Sequence, residues 1–295
     1  MSAVFEQHGP FIKEVLERFE RQVLRGIPPS LLSTAEHQLR GMKRTKGWRI
    51  GLVQAACSMK QAPYSLDLLL NLGQTACALH EISLIVDDLL DGDLERRGQL
   101  SLHEHSGRNR AGFLAGWYAA KAFEGHSQMA STIKAIAEVI ERVVWGEAEQ
   151  EALSKGRGER PTSILIWEKL ALDDTGAFFF FPFKALGVGG DWKSWVERLA
   201  LLYHGLDDLE DILGEGSLAG GGDADVRDGV PTLLTCFSSG RSREELRGVA
   251  KEAWYGLMYY FSSVPTPPAA LAPFFKDLWE ALSEVKKLIF KEEEK

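Results

Sequence analysis

Three aspartates crowd one short stretch of the chain, where Asp87, Asp88 and Asp91 stand in "VDDLLDGD". In a helix, Asp87 and Asp91 project within about 40° of each other, and Asp88 lies about 100° away. Carboxylates this close repel each other, so the cluster lowers stability unless a cation or open water screens it. The spacing therefore indicates a site for a cation.

A second acidic cluster with the same spacing occurs in "GLDDLEDIL", which contains Asp207, Asp208 and Asp211. One acidic cluster is usually a solvated helix face, but two of identical spacing, each within an apolar helix, favour a chemical role. Carboxylate oxygens suit Mg²⁺, which binds one or two carboxylates together with waters and substrate phosphates. Two such helices facing each other would hold several Mg²⁺ ions with a diphosphate clamped between them.

Cationic side chains that could neutralise a diphosphate directly lie near the first cluster. Arg96 and Arg97 follow it within a few residues and supply bidentate donors. Upstream, the stretch "GMKRTKGWR" adds Lys43, Arg44, Lys46 and Arg49. A solvated basic face explains that upstream stretch equally well, so the pattern alone leaves both interpretations open.

The elements that must position these residues are predicted to be helices. Apolar residues recur at spacings of three and four in segments such as "FIKEVLERFERQVL" and "WVERLALLYHGLDDLEDIL", and alternating strand patterns are nearly absent. Gly and Pro cluster at a few points typical of connections between helices, and no shift in composition divides the chain. We therefore predict an all-α fold, with residues 1–295 forming a single domain of about ten or more helices.

Composition excludes several classes of protein. The 295 residues have a formal net charge of -8, which argues against a broad nucleic-acid-binding surface. The three cysteines are widely separated and are expected to be ordinary buried thiols. The N-terminus lacks the pattern of a signal peptide, and no apolar run approaches the roughly 20 residues of a membrane span. We expect a cytoplasmic protein without a transmembrane segment.

Taken together, these motifs resemble those of the trans-isoprenyl diphosphate synthase (polyprenyl synthetase) family. "DDLLDGDLERRGQLSLHEHSG" resembles the first aspartate-rich motif and the segment after it, and "YHGLDDLEDIL" resembles the second. "GMKRTK" resembles the family's GGKRxR, and His80 matches a histidine shortly before the first motif. The resemblance implies the isoprenoid synthase fold, a helix bundle around a deep central cavity, and a homodimer.

The resemblance also implies a reaction and its residues. Two or three Mg²⁺ ions would stabilise the diphosphate that departs from an allylic prenyl diphosphate, and isopentenyl diphosphate would attack the resulting cation. The implied catalytic metal ligands are Asp87, Asp88, Asp91, Asp207, Asp208 and Asp211. The implied substrate-binding residues are Lys43, Arg44, Lys46, His80, Arg96, Arg97, Thr175 and His204. Among them, Lys43, Arg44, His80 and Arg97 match the isopentenyl diphosphate site, whereas Arg96 matches the allylic one.

Residues one turn before the first motif are implied to set the depth of the cavity for the prenyl tail. They are Leu79, Ile82 and Ser83, and the small Ser83 predicts that tails of C20 or longer can pass. Phe178 and Phe179 could line the floor of the cavity or stabilise carbocations by cation–π contact. Plain packing in the helix core is the alternative for both phenylalanines.

The sequence departs from the family at two positions expected to carry lysine. The family's Lys-Thr pair is Asp174-Thr175 here, and its Gly-Lys pair is Gly229-Val230. Each lost charge-assisted contact typically weakens binding by about 1.5–3 kcal/mol. His204, in place of a family glutamine, could contact diphosphate, act as a base or be an ordinary hydrogen-bonded histidine. The glycine-rich stretch 214–231 fits a lid that orders on ligand binding, and a disordered loop without a role explains it equally well.

Three functions remain open at this point. The protein could be a prenyl diphosphate synthase that relies mainly on metal to bind the allylic substrate. It could be a terpene synthase derived from the family, or a prenyltransferase that uses another acceptor. It could also be a partner subunit that modulates an active synthase, although a binding module has no need for six closely packed acids.

Overall fold

The structure, a computed structural model, consists almost entirely of α-helices. It describes residues 2–60, 63–124, 126, 129–156, 162–213, 230–238, 242–262 and 265–290. Thirteen α-helices lie within these ranges, which confirms the predicted all-α class and the number of helices. The same ranges contain a two-stranded antiparallel hairpin, which the sequence did not predict.

The first part of the chain contains seven helices and the hairpin. They are α1 (Ala3–Leu24), α2 (Leu32–Met42), α3 (Trp48–Lys60), α4 (Leu66–Asp91), β1 (Glu95–Arg96), β2 (Gln99–Leu100), α5 (Leu102–Ser106), α6 (Arg108–Phe123) and α7 (Ala130–Gly156). Further along the chain follow α8 (Ile164–Asp173), α9 (Thr175–Ala185), α10 (Trp192–Leu213), α11 (Arg243–Arg247), α12 (Ala250–Ser262) and α13 (Ala272–Phe290). Short 3₁₀ turns lie at Pro29–Leu31 and Leu234–Cys236.

The chain folds into two compact units. The first comprises Met1–Ile140 and Phe178–Trp192, and the second comprises Glu141–Ala177 and Lys193–Lys295. The first aspartate cluster belongs to the first unit and the second cluster to the second. The assignment of residues 1–295 to a single domain stays a prediction.

Helix α4 carries the first acidic cluster, and its ends are fixed by local sequence. At the N-terminus, the hydroxyl of Ser65 accepts a hydrogen bond from the backbone N–H of Leu68 at 3.2 Å, which is a standard helix cap. At the C-terminus, Gly92 adopts the left-handed conformation with φ of 70° and donates its N–H to the carbonyl of Asp88. Glycine takes this conformation without a steric penalty, so the helix ends directly after Asp91.

The same helix forms the centre of the first unit, where it packs against α1, α3 and α6. Gly73 marks a close approach, because a Cβ there would lie 2.7 Å from a methyl carbon of Val15 on α1. By length and mean hydropathy of 1.3, α4 could cross a membrane, yet 67% of its apolar window is buried within the protein. A buried core helix passes the same test. The absence of a transmembrane segment therefore stays a prediction.

Helix α10 carries the second acidic cluster in the second unit. Gly205, two residues before Asp207, lies against three apolar side chains. A Cβ at this position would come within 2.6 Å of Leu257, 3.1 Å of Trp167 and 3.2 Å of Leu233. The missing side chain lets α10 approach α8 and α12 closely, which fixes the depth at which the cluster lies.

Candidate active site

Both acidic clusters lie at the C-terminal ends of their helices. Asp87, Asp88 and Asp91 occupy the last turn of α4, and α10 ends at Leu213, just after Asp211. The helix macrodipole places partial negative charge at this end, so each exposed carboxylate there is disfavoured by about 0.3–1 kcal/mol. Neither helix has a basic residue of its own in the last turn. The clusters thus lie where the local field already attracts cations.

In the first cluster, Arg96 of β1 supplies the counter-charge. Its Nε donates to Oδ1 of Asp88 at 2.7 Å, and one terminal nitrogen donates to Asp87 at 2.9 Å and to Asp93 at 3.2 Å. Asp88 is only 3% exposed, whereas Asp87 and Asp91 are half-buried. Burial raises the pKa of Asp88, and the neighbouring Arg96 guanidinium opposes that rise.

A tight hairpin turn positions Arg96 and Arg97. Arg96 pairs with Gln99 across the two strands, and the turn residues Arg97 and Gly98 both have positive φ, 55° and 67°. Two-residue hairpin loops favour this conformation, but a non-glycine residue in it is strained by about 1–3 kcal/mol. One terminal nitrogen of Arg44 donates to the carbonyl of Arg97 at 2.6 Å, which stabilises the strained residue.

Arg97 points to a different carboxylate from Arg96. Its guanidinium donates to both oxygens of Glu81, at 2.9 and 3.2 Å, and the amide of Gln38 donates to the same acid at 2.7 Å. Glu81 is 1% exposed, so a buried, fully bonded carboxylate anchors the hairpin to α4. Sequence reasoning missed Glu81, although its position directly after His80 on a buried helix was a usable signal.

The cationic side chains predicted to bind substrate near the end of α2 and at the hairpin lie in the first unit. Arg44 and Arg97 meet at the hairpin turn, and Lys43 forms an exposed ion pair with Glu20 at 3.1 Å. Lys46 lies in the connection between α2 and α3, where its side chain is half-buried. Lys43, Arg44 and Arg97 therefore already have carboxylates or carbonyls as partners, and a ligand would exchange with some of those contacts.

His80 lies on α4, with its ring edge-on to Phe178 at 5.8 Å between centroids. Burial lowers the pKa of His80 well below its ordinary value, and the positive charges of Arg49, Arg97 and Arg96 lower it further. The ring is therefore neutral near pH 7. A neutral imidazole offers one N–H donor and one acceptor.

A small cleft opens beside His80 in the first unit. Its lining combines apolar and polar side chains from α1, α3, α4 and the connection before α3. The lining residues are Leu16, Met42, Thr45, Gly47, Trp48, Arg49, Ile50, Ala76, Cys77, His80 and Glu81. A pocket of this composition suits a small ligand with one polar end and one apolar end.

The predicted tail-length residues lie on α4 before the first cluster. Leu79 is buried, Ile82 and Ser83 are half-buried, and the Ser83 hydroxyl donates to the carbonyl of His80. Phe178 and Phe179 are 4% and 0% exposed and pack with Arg49 and Trp48. This environment accords with the packing interpretation of the phenylalanines, and a role for the five residues in the tail cavity stays a prediction.

The second cluster has the same burial pattern with different partners. Asp208 is 7% exposed, whereas Asp207 and Asp211 are half-buried. Oδ2 of Asp208 accepts from the indole Nε1 of Trp167 at 2.9 Å and from the backbone N–H of Leu233 at 2.7 Å. Burial raises the pKa of Asp208, and these two donors and nearby His204 oppose that rise. Trp167 was not identified from the sequence.

An arginine also caps the carbonyl end of each cluster's helix. Arg247 of α11 donates to the carbonyls of Ile212 and Leu213 at the end of α10, and Arg108 of α6 donates to the carbonyl of Leu89 in α4. Positive charge at a helix C-terminus is favourable and satisfies carbonyls that have no partner within the helix.

The predicted residues Thr175 and His204 meet in the second unit. The Thr175 hydroxyl donates to Oδ2 of Asp174 at 3.3 Å and lies 3.1 Å from Nδ1 of His204. The same ring nitrogen lies 3.6 Å from Asp174. The acid that stands where the family has lysine is therefore associated with a histidine next to the second cluster. Val230 is half-buried, but Gly229 and the rest of the predicted lid, residues 214–229, lie outside the described residues.

The donor set fits Mg²⁺. Within the described ranges, no three His, Cys, Asp or Glu side chains form a ready-made cage for a metal. Mg²⁺ does not require one, because it binds through one or two carboxylates and keeps waters and phosphate oxygens as its other ligands. The half-buried Asp87, Asp91, Asp207 and Asp211 suit that role better than Asp88 and Asp208, which are buried.

A helical fold with two aspartate-rich helix ends accords with the isoprenoid synthase fold that the motifs imply, and comparisons with known proteins agree. Residues 29–255 match the polyprenyl synthetase family, so the chain belongs to that family, as the motifs predicted. Over 170 residues the chain is 24% identical to a short chain isoprenyl diphosphate synthase from Methanocaldococcus jannaschii. That match covers 53% of this chain and 51% of the relative, about half the relative's length.

Solved structures confirm the fold. A decaprenyl diphosphate synthase from Rhodobacter capsulatus superposes with a TM-score of 0.72 at 14% identity, covering 96% of this chain and 98% of that one. A polyprenyl synthase from Caulobacter crescentus CB15, complexed with calcium and isoprenyl diphosphate, superposes with a TM-score of 0.67 at 17% identity. That match covers 97% of this chain and 96% of the other. At these identities, the similarity establishes the isoprenoid synthase fold alone.

Proposed function

We propose that the protein is a Mg²⁺-dependent prenyltransferase that condenses an allylic prenyl diphosphate with isopentenyl diphosphate. The observation that carries the proposal is the first acidic cluster, held at the end of α4 by an arginine that the family motif supplies. Membership in the polyprenyl synthetase family supports it, as does the calcium-bound relative from Caulobacter crescentus.

Asp87, Asp91, Asp207 and Asp211 are the residues we expect to hold two or three Mg²⁺ ions, with Asp88 and Asp208 fixing the clusters from within. Bound Mg²⁺ would neutralise the departing diphosphate as a Lewis acid. Arg96 keeps Asp87 and Asp88 of the first cluster in place, because it donates to both of them and to the neighbouring Asp93. The carboxylates of Asp87 and Asp88 are thereby oriented before any substrate arrives.

The chain's own residues also prepare the acceptor side. Neutral His80 can donate one ring N–H, Arg97 is bound to Glu81 of the same pocket, and Arg44 donates to the carbonyl of Arg97. The buried apolar wall of Trp48, Ile50 and Ala76 excludes water, which would otherwise quench a reactive cation. A product of C20 or longer is part of the proposal, because Ser83 is small and its hydroxyl bonds along its own helix.

The direct test is incubation of the protein with Mg²⁺ and dimethylallyl, geranyl, farnesyl or geranylgeranyl diphosphate, each with and without isopentenyl diphosphate. We expect longer prenyl diphosphates only when isopentenyl diphosphate is present. Hydrocarbons or alcohols formed without it would replace the proposal by a terpene synthase. If no product forms with any substrate until a second synthase is added, the protein would be a partner subunit instead.

One observation favours a terpene synthase, or a prenyltransferase with another acceptor, as the second candidate. Asp174 lies with Thr175 and His204 beside the second cluster, so an acid and a histidine occupy a place where the family has a cation for diphosphate. Asp174→Lys separates the candidates. In an elongating enzyme the new charge should lower the KM for the allylic diphosphate about tenfold. In the alternative, the variant should instead shift product distribution towards chain elongation.

A cytoplasmic homodimer completes the proposal. One face of α6 exposes Phe113, which is 67% accessible, and beside it the mid-helix Gly112 and Gly116 face open space. Glycine within a helix lowers its stability by about 1 kcal/mol relative to alanine, so a close approach by a second copy would explain both residues. Light scattering on the purified protein measures the mass directly.

A further inference from the structure

Arg49 differs from the other cations of the first unit. It lies in the first turn of α3, where its guanidinium carbon stands 5.3 Å from the ring centroid of Phe178 and 5.9 Å from that of Phe179. The side chain is half-buried, and its Nε is buried without a hydrogen-bond partner among the described residues. A buried N–H without an acceptor destabilises a protein by about 1–3 kcal/mol.

The contrast with its neighbours is direct. Arg96 and Arg97 bind carboxylates, Lys43 pairs with Glu20, and Arg44 donates to backbone carbonyls. Arg49 has only the two aromatic faces within the part of the chain that the structure describes. A guanidinium placed over an aromatic ring makes no hydrogen bond to that ring. Its N–H donors, which lie in the plane of the guanidinium, therefore remain available to another group.

The surroundings of Arg49 leave its charge uncompensated. The nearest acid of the pocket lining, Glu81, is already bound by Arg97 and Gln38. His80 is neutral, and Thr45, the other polar group of the lining, carries no charge. A positive charge in such a partly enclosed pocket interacts more strongly with an anion than it would in water.

We propose that Arg49 binds the diphosphate of the short acceptor substrate, with Nε–H and a terminal N–H as donors, in the pocket that it shares with His80. Apolar Leu16, Met42 and Ile50 line the same pocket as Arg49 and His80. This inference rests on the proposed function, because it identifies a further substrate-binding residue for the same reaction. It also assigns Phe178 and Phe179 a platform role, supporting an arginine instead of a carbocation.

The test is isothermal titration calorimetry on the full chain with a metal chelator present, so that metal-bound diphosphate does not contribute. The ligands are isopentenyl diphosphate, inorganic diphosphate and inorganic phosphate. We expect the wild type to bind both diphosphates more tightly than phosphate, and Arg49→Gln to bind them about 10- to 100-fold more weakly. The matched control is Arg40→Gln, which removes an exposed arginine of α2 and should leave affinity unchanged.

Steady-state kinetics separate binding from a structural effect. Arg49→Gln should raise the KM for isopentenyl diphosphate about tenfold or more, with kcat and the KM for the allylic substrate within about twofold of wild type. A folded variant that binds isopentenyl diphosphate as the wild type does would overturn the inference, and so would equal losses in both KM values and kcat. Failure of the wild type to bind either diphosphate without metal would overturn it as well.

A second variant covers the case in which Arg49→Gln does not fold. Arg49→Lys keeps the charge but lacks the planar fork, so isopentenyl diphosphate should bind about five- to tenfold more weakly. Wild-type affinity in the lysine variant would then contradict the proposed donors. Loss of the anion site at Arg49 and absence of synthase activity would give different results. Metal-free binding that depends on Arg49, in a protein without turnover on any allylic substrate, would refute the synthase but retain the anion site.

Discussion

The two acidic clusters have the same spacing and the same burial pattern, but they stabilise their central acid in different ways. In the first, Asp88 is bound by the charged guanidinium of Arg96, which reaches it from a hairpin eight residues later in the chain. In the second, Asp208 accepts from the neutral donors Trp167 and Leu233 N–H. The first cluster therefore has a charged hydrogen-bond donor for its central acid, whereas both hydrogen bonds to Asp208 come from neutral groups.

This difference distinguishes what helix geometry dictates from what tertiary packing supplies. A spacing of four places the outer aspartates on one face, and the middle one turns about 100° away towards the core. Both middle aspartates are accordingly buried, and both outer pairs are half-buried. The outer aspartates are suited to binding metal, and the middle aspartates are suited to hydrogen bonds that hold the cluster in the protein. Any donor that reaches the middle acid can serve as the anchor.

The largest expected effect concerns the outer acids. Asp87→Asn and Asp207→Asn should each lower kcat/KM in the presence of Mg²⁺ about a thousandfold, because each removes a charged ligand for the metal. Thermal unfolding should change little. Asp67→Asn, in the first turn of α4, is the control and should retain full activity. More than a tenth of wild-type activity in either cluster variant would contradict the assignment.

The next effect tests the charged anchor of the first cluster. Arg96→Gln leaves Asp88 buried without its ion-pair partner, so the free energy of unfolding should fall by about 3 kcal/mol. Arg108→Gln removes an exposed arginine that donates to the carbonyl of Leu89, and its effect should stay below about 1 kcal/mol. Urea denaturation measures both. Equal losses in the two variants would show that Asp88 does not depend on Arg96.

The neutral anchor of the second cluster should give a smaller change. Asp208→Ala leaves the Trp167 indole N–H and the Leu233 N–H buried without an acceptor, which should lower the free energy of unfolding by about 2 kcal/mol. Asp208→Asn retains an oxygen that can accept both bonds and should remain within about 1 kcal/mol of wild type. If the asparagine variant is as unstable as the alanine variant, the negative charge itself is what the site requires.

The smallest expected effect is a pH dependence. Burial raises the pKa of Asp208 above its ordinary value of 3.8, so folding favours the protonated acid. Stability from this group is complete at low pH and is lost as the pH rises through the folded-state pKa. Relative to Asp208→Asn, metal-free wild type should therefore lose stability as the pH rises from about 4, the ordinary pKa of the acid, through its raised folded-state pKa. Parallel stability curves for the two proteins would be the contrary result.

Local spacing was sufficient to predict the helices, the two clusters and the family. It also placed Asp87 and Asp91 together on one face and set Asp88 apart. What it could not identify were partners brought in from distant parts of the chain, such as Trp167 for Asp208 or Glu81 for Arg97. These contacts depend on how the helices pack, and a local sequence pattern does not encode helix packing. The hairpin was missed because its strands have two residues each, too few for an alternating signal.

Arg49 also shows that local sequence does not identify contacts between distant residues. In the sequence it was one of several basic residues in a stretch that a solvated face could explain. In the structure it stands on two phenylalanines more than 120 residues away in the chain, without an acidic partner among the described residues. The sequence shows the positive charge of Arg49, but only the structure shows that no carboxylate among the described residues pairs with it.

The turn at Arg97 and Gly98 has an evolutionary consequence. Adjacent arginines on one rigid bend serve Asp88 and Glu81, so an exchange of Arg97 for a β-branched residue would disturb both counter-ions in a single mutational step. The donors to Asp208 come from separate segments, and a substitution of Trp167 leaves the backbone N–H of Leu233 in place. Descendants of this protein should therefore acquire new substrates more readily through substitutions around the second cluster. The turn at Arg97 and Gly98 should change less during evolution.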